Sequence, residues 1–103
     1  MRQDILDKLG VLKRKYDAQG FVVLGVFGSF ARGEDTDNSD VDVLYECSDA
    51  LFARFKGWDF FGYYDDVKAD FESVLGRKVD LVDRKALGYT AEKYILPELV
   101  HVA

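Results

Sequence analysis

The run Phe21-Val22-Val23-Leu24-Gly25-Val26-Phe27 constrains this chain most. It is short, β-branched and aromatic, and apolar on both faces, so it reads as a strand buried within a sheet. Before it, Ile5, Leu9, Leu12 and Tyr16 recur at spacings of four, three and four, the face of an amphipathic helix. Gln19-Gly20 ends that helix, with Gly20 suited to a left-handed C-cap. Val41 to Tyr45 and Lys78 to Val82 read as two further strands. Between them Phe60, Tyr64, Val67, Phe71 and Val74 mark a second helix face, with Gly76 at its C′ position. Tyr89 to Leu96 reads as a short helix stopping before Pro97, and Leu99 to Val102 as a last strand. Helices and strands thus share one small α/β chain, with no repeat, linker or low-complexity tract.

A chain of 103 residues is expected to form one domain, residues 1–103. Being 49% hydrophobic and 15% aromatic, it has the apolar content that disordered chains lack. A net charge of −5 argues against coating a nucleic acid, which needs a basic surface. A nucleotide substrate stays compatible, because a bound cation reverses the local sign of an acidic site. Cys47 is the only cysteine, so no disulfide forms within the chain, which fits a reducing compartment. The start, Met1-Arg2-Gln3-Asp4, lacks the apolar run of a signal peptide. No stretch approaches the ~20 apolar residues of a membrane span. A soluble, cytoplasmic domain that meets no membrane is expected.

Three features point to chemistry. Gly28-Ser29 stands between the buried strand and a short helical piece. Glycine lets backbone N–H groups approach a ligand closely, a helix start offers unpaired N–H donors, and Ser29 adds a hydroxyl, so together they suit a phosphate. Next, Asp40-Val41-Asp42 sets two carboxylates two residues apart, on one face of a strand. Crowding like charges raises at least one pKa, and a divalent cation relieves that cost. Mg²⁺ takes hard oxygen ligands from carboxylates, phosphates and water. Finally, Asp80 interrupts the apolar strand Val79-Asp80-Leu81-Val82. A buried carboxylate needs a partner, which the same metal site supplies if the two strands are neighbours. Such a set suits two-metal phosphoryl chemistry, with ions typically about 3.5–4 Å apart.

Gly28-Ser29, ten residues, then Asp40-Val41-Asp42 resembles the signature of the DNA polymerase β-like nucleotidyltransferase superfamily. The fuller string, Gly28-Ser29-Phe30-Ala31-Arg32-Gly33 through Ser39-Asp40-Val41-Asp42-Val43-Leu44, resembles the minimal nucleotidyltransferases, and Asp80 matches their third carboxylate. The resemblance covers nearly the whole chain. It implies a small mixed sheet flanked by helices, two Mg²⁺ ions, and ATP as substrate. It implies Asp40, Asp42 and Asp80 as catalytic metal ligands, Asp80 also helping to deprotonate the acceptor. Gly28 and Ser29 would hold the β/γ phosphates, with Ser39 and Arg32 completing the nucleotide-binding motif, Arg32 either touching phosphate or holding the loop together. Many such proteins are antitoxins that transfer AMP to a tyrosine hydroxyl of a HEPN-domain ribonuclease toxin. That implies a HEPN toxin as partner and acceptor. Two other readings are a non-catalytic antitoxin that works by occlusion, and a nucleotidyltransferase for a small molecule such as an aminoglycoside. The short chain counts against the last.

Other residues carry plainer expectations. Asp83 faces opposite to Asp80 by an odd offset and reads as a strand-end or turn residue. Asp37-Asn38-Ser39 suits an Asx turn. His101 reads as a surface histidine and Cys47 as a small buried residue. Trp58, Phe60, Phe61, Tyr63 and Tyr64 exceed what one helix face buries. Phe60 and Tyr64 suit the core, Trp58 and Phe61 either the core or a protein partner, and Tyr63 a hydroxyl in water. Asp65-Asp66 reads as a solvated face.

Overall fold

A computed structural model describes residues 2–55 and 59–102. Its first helix, α1, spans Arg2–Asp17. Ile5, Leu9, Leu12 and Tyr16 are all buried, the stripe read from their spacing. Asp4 in its first turn and Arg14 and Lys15 in its last complement the helix dipole. Gly20, at φ +92°, turns the chain into β1, Phe21–Phe27. A four-residue helix α2, Gly28–Ala31, follows directly. After a loop come β2 (Val41–Cys47), a short helix α3 (Asp49–Ala53) and the long helix α4 (Asp59–Leu75). The chain ends in β3 (Val79–Asp83), a 3-10 turn (Arg84–Ala86), α5 (Tyr89–Glu98) and β4 (Val100–His101).

The strands form one mixed sheet in the order β3-β2-β1-β4. β1 runs antiparallel to both β2 and β4, whereas β2 and β3 are parallel. Parallel neighbours need a long crossover, and α3 with α4 provides it. The β1–β2 register slips at Leu24: Val23 faces Tyr45, but Gly25 faces Leu44. One extra residue inverts the alternation of β1, which is why this strand reads as apolar on both faces. Val23 and Val26 join the main core, and Phe27 comes opposite Asp42.

The main core lies between one face of the sheet and helices α1 and α4. Phe21 and Phe71 sit at its centre, both fully buried, with Phe21 stacked on Tyr45 at 4.4 Å between ring centroids. A fully buried Phe, Leu or Val contributes about 1.5–3 kcal/mol, so this cluster holds the fold. Asp70 ties the two helices at their rim, accepting 2.6 Å hydrogen bonds from Lys15 Nζ and Tyr16 Oη.

Several expectations need correction. On α4 the buried stripe is Val67, Phe71 and Leu75, whereas Val74 is exposed. Spacings of four keep one stripe, so Leu75 rather than Val74 continues it. The last helix does not stop before Pro97 but runs to Glu98, with Leu99 N–H bonding back to Leu96 O in a tightened final turn. Tyr63 does not turn its hydroxyl to water alone; it donates to Gln19 Oε1 at 2.9 Å. Helix α3, capped by Ser48 Oγ accepting Leu51 N–H, carries no periodic signal long enough to read. Other expectations hold. Phe60 and Tyr64 pack against the core. Cys47 is buried, which pushes its thiol up to about 11. Asp83 caps the 3-10 turn by accepting Lys85 N–H, and His101 and Asp65-Asp66 are exposed. Phe61 is exposed too, and Trp58 lies outside the described residues. Among the described residues no helix is long and apolar enough to cross a membrane.

Candidate active site

The sheet face turned away from α1 and α4 carries the acidic residues. Asp42 is the second residue of β2 and Asp80 the second of β3, and the parallel register sets them side by side. Residues flanking them, Val41, Val43, Val79 and Leu81, point the other way into the core and fix the facing of both carboxylates. Asp40 precedes β2 and is exposed, as is Asp80, whereas Asp42 is half-buried. Burial raises the Asp42 pKa above the ordinary carboxylate value, and the charges of Asp80 and Asp40 raise it further. Asp42 therefore feels the other two carboxylates named from the sequence.

The turn Gly28–Gly33 faces this acidic pair. Gly28 has φ +75°, and a Cβ built there would overlap Asp42 Oδ2 and stand 3.2 Å from Asp42 Cγ. The glycine thus serves two ends: a left-handed backbone that L side chains disfavour, and close approach to the central carboxylate. Phe30 plugs the turn into the core, being almost fully buried. Arg32 N–H returns to Gly28 O at 3.1 Å, and Gly33, at φ +73°, leaves the turn. Ser29 Oγ has no hydrogen-bond partner among the described residues. Arg32 is engaged within the protein: Nε bonds Glu34 Oε2 at 3.1 Å, and Nη1 lies 3.3 Å from both oxygens of Glu98.

The loop ahead of Asp40 is held by hydroxyls. Ser39 Oγ accepts Thr36 N–H at 2.8 Å, and Ser39 N–H donates to Thr36 O at 3.0 Å. The turn expected at Asp37-Asn38-Ser39 therefore closes through Ser39 and Thr36, and Ser39 shapes the loop. Arg77, nearly buried, pins the same loop from the start of β3, donating to Thr36 O at 3.2 Å and pairing with Asp35 at 3.4 Å. A cleft of about 390 Å³ beside Asp40 is lined by Asp37, Asn38, Ser39, Asp40, Arg77 and Lys78. A larger groove of about 480 Å³, between α1 and His101-Val102, shares no residue with the carboxylates.

Two residues at the site escaped the sequence reading. Glu98 reaches back from α5 to accept Gly28 N–H at 3.1 Å, and Arg77 braces the loop that delivers Asp40. Neither stands in a motif, and an Arg before a strand or a Glu ending a helix has no local mark.

The donor set fits a Mg²⁺ ion. Among the described residues no three His, Cys, Asp or Glu side chains form a ready metal cage. Mg²⁺ does not ask for one, since it is usually held by one or two carboxylates plus waters and substrate phosphates. Asp42 and Asp80, side by side and mutually repelling, are such a pair, with Asp40 at their edge.

The chain matches the family described as "Polymerase beta, Nucleotidyltransferase" over residues 12–99. It is 34% identical over 79 residues to a protein adenylyltransferase of Thermococcus cleftensis, covering 77% of this chain and 72% of that relative. It is 36% identical over 105 residues to a Methanocaldococcus jannaschii protein provisionally named a protein adenylyltransferase, covering 97% of this chain and 93% of the relative. Among solved structures, one provisionally described as a minimal nucleotidyltransferase superposes with a TM-score of 0.70 at 26% identity, covering 92% of this chain and 93% of the other. The fold is also that of a chain in a toxin–antitoxin crystal structure with AMP-PNP: TM-score 0.69, 19% identity, 95% and 72% covered. Acidic pair, glycine turn, mixed sheet and these likenesses agree: the chain is a nucleotidyltransferase and belongs to the polymerase beta nucleotidyltransferase family.

Proposed function

We propose that this chain is a Mg²⁺-dependent protein adenylyltransferase, acting in the cytoplasm as an antitoxin, that transfers AMP from ATP to a tyrosine hydroxyl of a HEPN-domain ribonuclease toxin. The observation that carries it is the pairing of Asp42 with Asp80 across two parallel strands, with Gly28 packed onto Asp42. The names of the archaeal relatives support protein adenylylation, and the toxin–antitoxin neighbour supports a toxin as acceptor.

The residues have distinct tasks. Asp40, Asp42 and Asp80 would hold two Mg²⁺ ions, which when bound neutralise the triphosphate and lower the pKa of the attacking hydroxyl. The open end of the Gly28-Ser29 turn orients the β and γ phosphates through the Ser29 backbone N–H and hydroxyl. Arg32 closes that turn, and Ser39 holds the loop that presents Asp40. The acceptor oxygen forms a bond to the α-phosphorus while the bond from that phosphorus to the bridging oxygen breaks. Pyrophosphate leaves, and the hydroxyl proton passes to Asp80, the most open of the strand carboxylates. Catalysis here is positioning and charge neutralisation rather than covalent participation.

The test is intact-mass spectrometry of the partner toxin after incubation with this chain and MgATP. AMP-sized mass increments on a tyrosine are expected. They should vanish with EDTA or with Asp40→Asn plus Asp42→Asn. Increments that persist in the double variant would sink this mechanism. No increment despite a stable complex would leave occlusion as the way the toxin is neutralised.

A further inference from the structure

Glu98 is the last residue of α5, and its one carboxylate reaches both ends of the Gly28–Arg32 turn. Oε1 accepts Gly28 N–H at 3.1 Å, and both oxygens stand 3.3 Å from Arg32 Nη1. Within the turn, Arg32 N–H bonds back to Gly28 O. Glu98 adds a brace from outside, from an element distant in sequence. Arg32 is then held on two sides, by Glu98 and by Glu34. That fixes a guanidinium that an unpaired side chain would wave through solvent.

The direction of the Gly28 N–H matters as well. Since Glu98 takes that donor, it does not serve as a phosphate donor in this conformation. Ser29 Oγ, by contrast, has no partner among the described residues. Glu98 thereby divides the turn into an anchored end and an open one. No residue of α5 is fully buried, and its Glu98 carboxylate reaches the turn that faces the acidic pair. Glu98 is half-buried and paired with Arg32, which offsets part of its charge at the turn.

We infer that Glu98 is a positioning residue for the nucleotide: acting through Gly28 and Arg32, it holds the phosphate-facing turn in its binding shape without touching the substrate. The inference rests on the nucleotidyltransferase reading of the site. The experiment is calorimetric titration of wild type, Glu98→Ala and Glu98→Gln with the Mg²⁺ complex of α,β-methylene-ATP, which binds but cannot lose pyrophosphate. It is paired with AMP-transfer kinetics on the toxin. Glu98→Ala is expected to weaken binding about tenfold, equivalent to about 1.4 kcal/mol, and to raise KM for ATP by the same factor with kcat within about twofold. Glu98→Gln keeps an oxygen for Gly28 N–H but loses the charge facing Arg32, and should recover roughly half of that loss on a logarithmic scale. Thermal unfolding of each variant establishes that it is folded. If Glu98→Ala is not, Glu98→Gln decides alone, with a roughly threefold loss expected. Wild-type affinity in the folded variants overturns the inference, as does a kcat loss at unchanged KM, which would place Glu98 in the chemistry. Wild type that fails to bind the analogue overturns the nucleotidyltransferase reading, and this inference with it.

Discussion

Gly28→Ala is the sharpest perturbation of the proposed site, because a single methyl meets two obstacles. The backbone there stands at φ +75°, a left-handed conformation that costs a residue with a Cβ roughly 1–2 kcal/mol. The methyl also falls within 3.0 Å of Asp42 Oδ2, a distance Cβ atoms do not tolerate, and 3.2 Å from Asp42 Cγ. Either Asp42 retreats or the turn does, by roughly 1 Å, and a misplacement of that size costs about 10²-fold in rate. The backbone strain lowers Tm as well, about 4–8 °C per kcal/mol for a domain of this size. The assay is the initial rate of AMP transfer at saturating MgATP and toxin, measured beside thermal unfolding. The expected result is a folded protein, melting about 5–10 °C lower, with kcat down about 10²-fold. A variant that melts lower but keeps kcat within about threefold would refute the reasoning, since the contact with Asp42 would then not matter to the chemistry.

Two further outcomes follow from the charges. Asp42 has a raised pKa, so its ionised form is costlier folded than unfolded. The penalty is absent below the ordinary carboxylate value and grows as pH rises through the folded one. Asp42→Asn should therefore stabilise the ligand-free protein by roughly 0.5–1 kcal/mol at pH 7.5 and by nothing in acid. MgATP should raise Tm only for wild type. An unchanged or lower Tm of the variant at pH 7.5 refutes this. Asp70 is the opposite case, its pKa held below the ordinary value by the Lys15 and then the Tyr16 hydrogen bonds. Asp70→Ala should cost roughly 1 kcal/mol at neutral pH, and the gap from wild type should close as pH falls through the lowered value. A Tm difference that does not depend on pH would show packing, not charge, to be responsible.

The proposed site was legible in the sequence to the extent that it is local. Gly28-Ser29 and Asp40-Val41-Asp42 are short spacings whose geometry follows from a turn and a strand. Asp80 stood out because a charge interrupts an apolar strand. That it lies beside Asp42, rather than elsewhere on the sheet, is a matter of strand order, which local pattern does not encode. Glu98 and Arg77 were illegible for the same reason, since each acts across the fold on a loop far away in sequence. The bulge at Leu24 hid as a strand that looked apolar on both sides, because inverted alternation and two-sided burial leave the same pattern. On α4, Val74 and Leu75 are adjacent apolar residues within one turn, and only packing decides that Leu75 is the buried one. The hydroxyl of Tyr63 found Gln19, a partner at the end of another helix that only the packed structure brings near.

The parallel pairing of β2 with β3 also sets the order in which the acidic pair is assembled. Asp42 is synthesised well before Asp80, and the whole α3–α4 crossover must be made and folded before the two carboxylates meet. A nascent or nicked chain that has only the glycine turn and β2 carries half of an acid pair. It carries Asp40 and Asp42 but lacks Asp80, the third carboxylate named from the sequence. Completion of the sheet therefore brings the two carboxylates together, and loss of β3 docking would part them.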